Sequence, residues 1–338
     1  MDLAVLWFVA IAVLWAGYFL LEGFDFGVGM LLRVLGRDDA ERTALIHTIG
    51  GVWDGNEVWL IVAAGATFAA FPLWYATMFS GLYVPLLIIL LALIVRGVAF
   101  EFRGRSDDPR WRAGWEAALI VGSAIPAALW GVIWGAVLRG LPIGPGHVFT
   151  GGLGDLVSWY ALIGGLTTLV LFALHGALFL TLRTAGASAR RARTVAMWLG
   201  PVAVVLAAVF LFRTQVHRGS TATLVTGVVA VVALLGAWLL SRARTAAWAF
   251  TLTGTGIVAG TSTLFLALYP AVLPSSLDPA YDLTVQAASS SPYTLTIMTW
   301  VAAIFLPVVL GYQAWTYWVF ARRIGGPGLG ATDHAAPG

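Results

Sequence analysis

Nine apolar runs, each about as long as a bilayer-crossing helix, follow one another along this chain with only short joints between them. They lie near residues 4–31, 53–71, 76–100, 116–138, 157–182, 195–212, 222–240, 246–269 and 295–319. A spanning helix needs roughly 20 mostly apolar residues, and in lipid every backbone polar group must be satisfied within its own segment or a closed sheet. Runs of this length predict helices. The charge content agrees: 10% of the 338 residues are charged, against about 25% in soluble domains. The sequence therefore predicts an all-α, polytopic membrane protein of about nine transmembrane helices.

The joints fix an orientation. All 19 basic residues are arginines. Odd-numbered joints hold Arg33, Arg37 and Arg42, then Arg103, Arg105, Arg110 and Arg112, then Arg183, Arg190, Arg191 and Arg193, then Arg242 and Arg244, and Arg322 and Arg323 follow the last run. Even-numbered joints hold only Arg139, Arg213 and Arg218. The positive-inside rule places the N-terminus outside and the C-terminus in the cytoplasm, which an odd number of spans satisfies. Met1-Asp2-Leu3-Ala4 carries no positive n-region and no cleavage site follows, so the first run reads as a retained helix. Leu32-Arg33-Val34-Leu35-Gly36 and Leu182-Arg183-Thr184-Ala185-Gly186 end the first and fifth runs alike. That fits two four-helix units with one helix left over, or simply two similar helix ends.

Charge inside a membrane is costly, by roughly 2.5–3.5 kcal/mol per residue on insertion scales, and tends to mark function or a buried interface. Glu22 and Asp25 lie in the later part of the first run, Asp54 and Glu57 open the second, and Arg96 and Glu101 close the third. Each carboxylate pair is spaced i, i+3 and so shares a helix face. The predicted orientation puts all six toward the cytoplasm, where acids on three helices can take up protons. Plainer roles compete. Asp54 with Glu57 has capping-box spacing, Arg96 can form a structural ion pair, and Glu101 beside Arg103 can be the wet end of a helix. Glu22 and Asp25 have apolar sequence on both sides, so a terminal role suits them least.

Other features constrain the chemistry. The absence of cysteine excludes disulfides, cysteine-held iron–sulfur clusters and thiolate zinc sites. His175 is the one histidine placed within a run; it can ligate a haem or relay protons, but a lone helical histidine is more often a hydrogen-bonded core residue. No pair of His or His/Met residues is placed to hold a haem from both sides, and no metal site is expected. Gly23, Gly27 and Gly29 allow close helix contact. The tryptophans read as interfacial belts and packing. There is no phosphate-binding loop and no nucleic-acid signature.

Six segments carry a family resemblance. Glu22-Gly23-Phe24-Asp25-Phe26-Gly27-Val28-Gly29, Trp53-Asp54-Gly55-Asn56-Glu57-Val58-Trp59 and Arg96-Gly97-Val98-Ala99-Phe100-Glu101-Phe102-Arg103 closely resemble signature segments of subunit II of cytochrome bd quinol oxidase. Leu273-Pro274-Ser275-Ser276, Met298-Thr299-Trp300 and Gln313-Ala314-Trp315-Thr316-Tyr317-Trp318 continue the match, in order, to the far end. The resemblance implies two four-helix bundles and one peripheral helix: residues 1–140 as the first bundle with the acid cluster, 141–270 as the second, 271–325 as an extracytoplasmic loop with the ninth helix, and 326–338 as a cytoplasmic tail. It implies a bacterial cell-membrane complex that oxidises quinol, reduces oxygen to water and builds a proton gradient without pumping. The partner, subunit I, would carry the b- and d-type haems in an obligate heterodimer, with a small accessory subunit left open. Subunit II would be haem-free, would support its partner, can hold a structural quinone, and would lend carboxylates to a cytoplasmic proton path. Asp25 and Asp54 match the family's aspartates, and Glu101 an acidic position after the Arg96 segment. Glu57 stands where some members have Gln, which puts its role in doubt. Residues 140–245 match in hydropathy alone and carry no site. Two rival readings remain from the residues themselves: a proton-coupled secondary transporter, with a midplane solute site, and a purely structural scaffold for a haem subunit.

Overall fold

The computed structural model describes residues 2–243 and 245–320; Arg244, Arg322, Arg323 and the tail 326–338 lie outside the described residues. Nine long helices occur among the described residues: α1 (Leu3–Leu35), α2 (Trp53–Ala70), α3 (Tyr83–Phe102), α4 (Pro109–Arg139), α5 (Trp159–Arg183), α6 (Gly186–Arg218), α7 (Thr221–Arg242), α8 (Ala246–Leu268) and α9 (Pro292–Val319). Each answers to one of the nine apolar runs. Eight are long and apolar enough to cross a membrane. The other, α2, spans 18 residues, and Asp54, Asn56 and Glu57 in its opening turns lower its mean hydropathy. The span that falls short in hydropathy is thus one whose opening turns carry signature acids.

Local chemistry sets the helix ends. Asp2, Ser158 and Ser291 each sit one residue before a helix and accept from a free backbone N–H within it, at 2.9, 3.1 and 3.3 Å. Asp108 does the same for α4, where Pro109 takes the first helical position. Two boundaries differ from the hydropathy reading. The apolar run from residue 76 is interrupted: a short helix, Pro72–Gly81, ends at Leu82 and α3 starts afresh at Tyr83. The run 195–212 is the middle of a 33-residue helix that continues unbroken through Arg213, His217 and Arg218. Hydropathy marks the part of a helix that prefers lipid, while backbone hydrogen bonding carries the helix on into the polar flank.

Helices α1–α4 and α5–α8 form two four-helix groups, and α1 packs on members of both. It does so through glycine. A Cβ at Gly27 would overlap the Phe172 carbonyl oxygen and lie 2.7 Å from the Cα of Gly176 on α5. One at Gly29 would overlap Ser123 on α4. Both glycines are buried inside this chain, so the close contact they allow is between its own helices and neither is free to line an interface with another protein. Gly131 of α4 and Gly164 of α5 meet in the same way. Helix α9 is peripheral, with Leu295 its one buried residue. Away from the arginine-rich joints, Leu141, Ser275 and a two-stranded ribbon, Ala271–Leu273 with Leu283–Thr284, cap the bundle.

Gly27→Leu is expected to lower the yield and melting temperature of the chain itself, because overpacking a filled contact costs about 1–3 kcal/mol. Gly65→Ala, where a Cβ meets nothing within 4 Å, should leave both unchanged. Equal thermal stability of the two variants would disprove the close α1–α5 contact.

Candidate functional site

Three helices bring their polar groups to one place. Glu22 and Asp25 of α1 are fully buried, as is Arg96 of α3. Arg96 Nη1 donates to Glu22 Oε1, and the same nitrogen lies 3.9 Å from Oε2 of Glu57 on α2. The guanidinium sits over the rings of Phe26 and Phe100, at 4.9 and 5.4 Å from their centroids. Aromatic faces attract a delocalised, weakly hydrated cation, so the apolar wall of the site holds Arg96 as well as excluding water. Trp53 stacks on the far side of this wall, 4.6 Å from Phe100.

Asp25 has a different partner. Asn56 Nδ2 donates to Asp25 Oδ2 at 2.7 Å, and Asn56 Oδ1 accepts from the Tyr317 hydroxyl of α9 at 2.6 Å. One cation thus faces three carboxylates. Among the described residues, Glu22 Oε2, Asp25 Oδ1, Arg96 Nε and Arg96 Nη2 are buried without a hydrogen-bond partner. Such atoms normally find a partner. The arrangement leaves one guanidinium beside more than one carboxylate, a buried ion pair with acidic groups to spare.

The sequence-predicted acids divide into two sets. Glu22, Asp25, Glu57 and Arg96 come together. Asp54 is exposed; its carboxylate accepts from the adjacent Gly55 N–H at 2.8 Å. The capping-box reading is corrected, because Val52 occupies the cap position and has no side chain to serve it. Asp54 instead borders a cavity of about 430 Å³ between α2 and α9, which Asn56, Trp59, Gln313 and Tyr317 also line. Glu101 is exposed at the end of α3 and away from the cluster. Two residues on, Arg103 turns inward.

Three residues escaped the sequence reading. Asn56 and Tyr317 lie within quoted segments, but an amide and a phenol attract less notice than an acid. Glu116 stood at the first residue of an apolar run and passed for its boundary. It is buried, and it accepts from Arg33 (3.0 Å), Arg42 (2.9 Å) and Arg103 (3.0 Å). Asp39 accepts from Arg103 at 2.7 Å and from Arg112. This knot ties together the joints that follow α1 and α3. Nearby, Glu41 accepts from Arg191 Nη2 at 2.6 Å and the Arg37 N–H at 2.8 Å, and the Arg191 contact holds its carboxyl below the usual range. That pair joins the two helix groups at their arginine-rich end.

His175 is fully buried and already engaged. Nδ1 lies 2.7 Å from Thr253 Oγ1, Nε2 lies 3.2 Å from the Leu20 carbonyl oxygen, and the ring stacks on Phe250 at 4.4 Å. Neither nitrogen is left for an axial bond, so the residue does not fit a haem.

Fold and site together define a polytopic helical membrane protein with a buried Arg–carboxylate cluster near one end of its first bundle. The family description for cytochrome bd terminal oxidase subunit II matches residues 3–320, and the chain belongs to that family. The cytochrome bd ubiquinol oxidase subunit 2 of Bacillus subtilis is 44% identical over 324 residues, covering 94% of this chain and 96% of that one. The cytochrome bd-I ubiquinol oxidase subunit 2 of Escherichia coli K12 is 34% identical over 363 residues, covering 95% of each. The bd oxidase structure from Geobacillus thermodenitrificans shares the fold, with a TM-score of 0.76 at 17% identity over 94% of this chain and 99% of that chain.

Arg96→Leu should sharply reduce folded protein, since removing one partner of a buried ion pair costs about 3–5 kcal/mol. Arg96→Leu combined with Glu22→Gln should recover part of the loss. Thermal melts of the purified variants would decide this, and equal stability of the single and double variants would count against the pairing.

Proposed function

We propose that this chain is the haem-free subunit II of a bd-type quinol:oxygen oxidoreductase in a bacterial cytoplasmic membrane. Its task there is to support a haem-bearing subunit I in an obligate heterodimer and to deliver cytoplasmic protons toward that subunit's oxygen site. The haems of the partner carry the electron transfer and the oxygen chemistry. In this reading residues 1–140 are the working bundle, 141–270 a second bundle, and 271–325 a loop and helix on its flank. The arginine-rich end faces the cytoplasm, with the N-terminus outside.

The observation that carries the proposal is a gradient of burial along a row of acids. Asp54 is open to solvent at the α2–α9 cavity. Glu57, one turn on, keeps 22% of its side-chain surface exposed, and Glu22 keeps none. Arg96 is shared between those two, so the charge states of Glu57 and Glu22 are linked through one guanidinium. Asp25, one turn nearer the cytoplasm on α1 in this orientation, has a free buried oxygen that can hold a proton on the way in from Asp54. Oxygen reduction to water consumes protons, and drawing them from the cytoplasm builds a gradient without a pump. Glu57 serves here as a relay, although some relatives have Gln at that position. Glu101, exposed and separate, would act at most as a collecting charge at the surface. A structural quinone would suit an aromatic cavity, and the α2–α9 space bordered by Trp59, Trp315 and Tyr317 has that character.

Asp54→Asn and Asp25→Asn are each expected to lower quinol-dependent oxygen consumption by the purified complex, by about 100-fold or more, in keeping with loss of a proton-transfer group, while the haem spectrum stays normal. Unchanged turnover in both would reduce the cluster to a structural role; loss of haem would point to a scaffold. The orientation has its own check. The native chain has no cysteine, so a single cysteine placed at Ala243 should stay unlabelled by an impermeant reagent in intact cells. Labelling from outside would reverse the topology.

A further inference from the structure

Helix α9 lies at the edge of the molecule, yet two of its polar side chains reach α2. Gln313 Oε1 accepts from Trp59 Nε1 at 2.8 Å, and the Tyr317 hydroxyl donates to Asn56 Oδ1 at 2.6 Å. The second contact does not stop at α2, because Asn56 passes it on to Asp25 through its Nδ2 at 2.7 Å. A carboxamide has fixed polarity: its oxygen only accepts and its nitrogen only donates. With the phenol donating to Oδ1, the nitrogen is committed to Asp25. The result is a strap from the peripheral helix through α2 to a fully buried carboxylate on α1.

We propose that Asn56 and Tyr317 are positioning residues for proton transfer at Asp25, so that α9 is part of the path and not only an anchor. This rests on the reading of Asp25 as a proton carrier. An amide does not titrate in the working range, so Asn56 holds the carboxylate and does not itself relay. It occupies Oδ2 and leaves Oδ1 as the oxygen free to exchange a proton. Without the Tyr317 hydroxyl, Asn56 Oδ1 loses its partner and the amide is held through its bond to Asp25 alone among the described residues. The one side-chain donor to Asp25 among the described residues would then be less firmly placed, and the carboxylate with it. Tyr317 also lines the cavity that Asp54 borders, so the strap runs along the wall between the exposed acid and the buried one. Movement of α9, or of whatever packs on it, would be felt at Asp25.

The test uses the whole oxidase complex carrying Tyr317→Phe, Asp25→Asn, or both, with turnover measured at saturating quinol. Tyr317→Phe keeps the ring and removes only the hydroxyl. It should lower kcat by up to about tenfold, the upper end of the scale for one neutral hydrogen bond, with quinol KM and haem content unchanged. In the Asp25→Asn background it should cost less than about twofold more, because the two act as a unit. Asn56→Ser should behave like Tyr317→Phe, and both should shift the carboxyl band in infrared difference spectra that Asp25→Asn removes. A slow Asp25→Asn beside a normal Tyr317→Phe, or fully multiplicative losses in the double variant, would overturn the strap and leave the proton path standing. Loss of haem with Tyr317→Phe, or normal KM and kcat with Asn56→Ser, would overturn it as well. A normal Asp25→Asn would remove the proton reading, and the strap with it.

Discussion

The pairing of Arg96 with Glu22 is the contact on which the first bundle depends. Both groups are fully buried and lie on different helices. An uncompensated charge there is costly, so α1 and α3 are held in register by the need of each for the other. A hydrophobic driving force could not do this in a bilayer, where lipid tails are as apolar as leucine. The aromatic rings around the guanidinium supply a second hold on Arg96. Once it is fixed, Glu57 of α2 stands within reach of it, and the two acids of α1 are presented to α2 along one face.

The same constraint explains why glycine clusters beside the acids. Residues 22–29 of α1 alternate between groups that need a polar partner and groups that must let another backbone come near. Glu22 and Asp25 face α3 and α2, while Gly27 and Gly29 admit α5 and α4. A helix with acids on one side and bulky residues on the other would have stood off from the second bundle. The short segment therefore does two jobs, and its motif is compact because both must be met within two turns.

How much of this was legible in the sequence follows from what each signal measures. Hydropathy located all nine helices, since it records the solvent each residue prefers. It misplaced the breaks at Leu82 and beyond Phe212, because helix continuity is decided by backbone hydrogen bonds that hydropathy does not see. Spacing put Glu22 with Asp25 and Asp54 with Glu57 on common faces. It could not tell that Asp54 would face the cavity and Glu57 the arginine, a rotation of α2 set by tertiary packing. Glu101 and Arg103 show the same limit: two neighbours at a helix end, one turned out and one turned in to meet Glu116. Asn56 and Tyr317 are 261 positions apart, and no local pattern could have joined them.

Polar contacts hold the periphery as they hold the centre. Helix α9 has little buried surface, so apolar packing alone cannot specify how it is rotated against α2. Trp59–Gln313 and Asn56–Tyr317 do specify it, because each joins a donor to an acceptor at short range and a turn of the helix would break both. The two α9 residues are spaced i, i+4 and so lie on one face, as do Asn56 and Trp59 at i, i+3 on α2. The contact is therefore a two-point latch between facing stripes. One point ends in a tryptophan and is purely positional. The other continues through Asn56 into the acid cluster, so the orientation of the outermost helix and the orientation of a buried carboxylate are set by the same pair of hydrogen bonds.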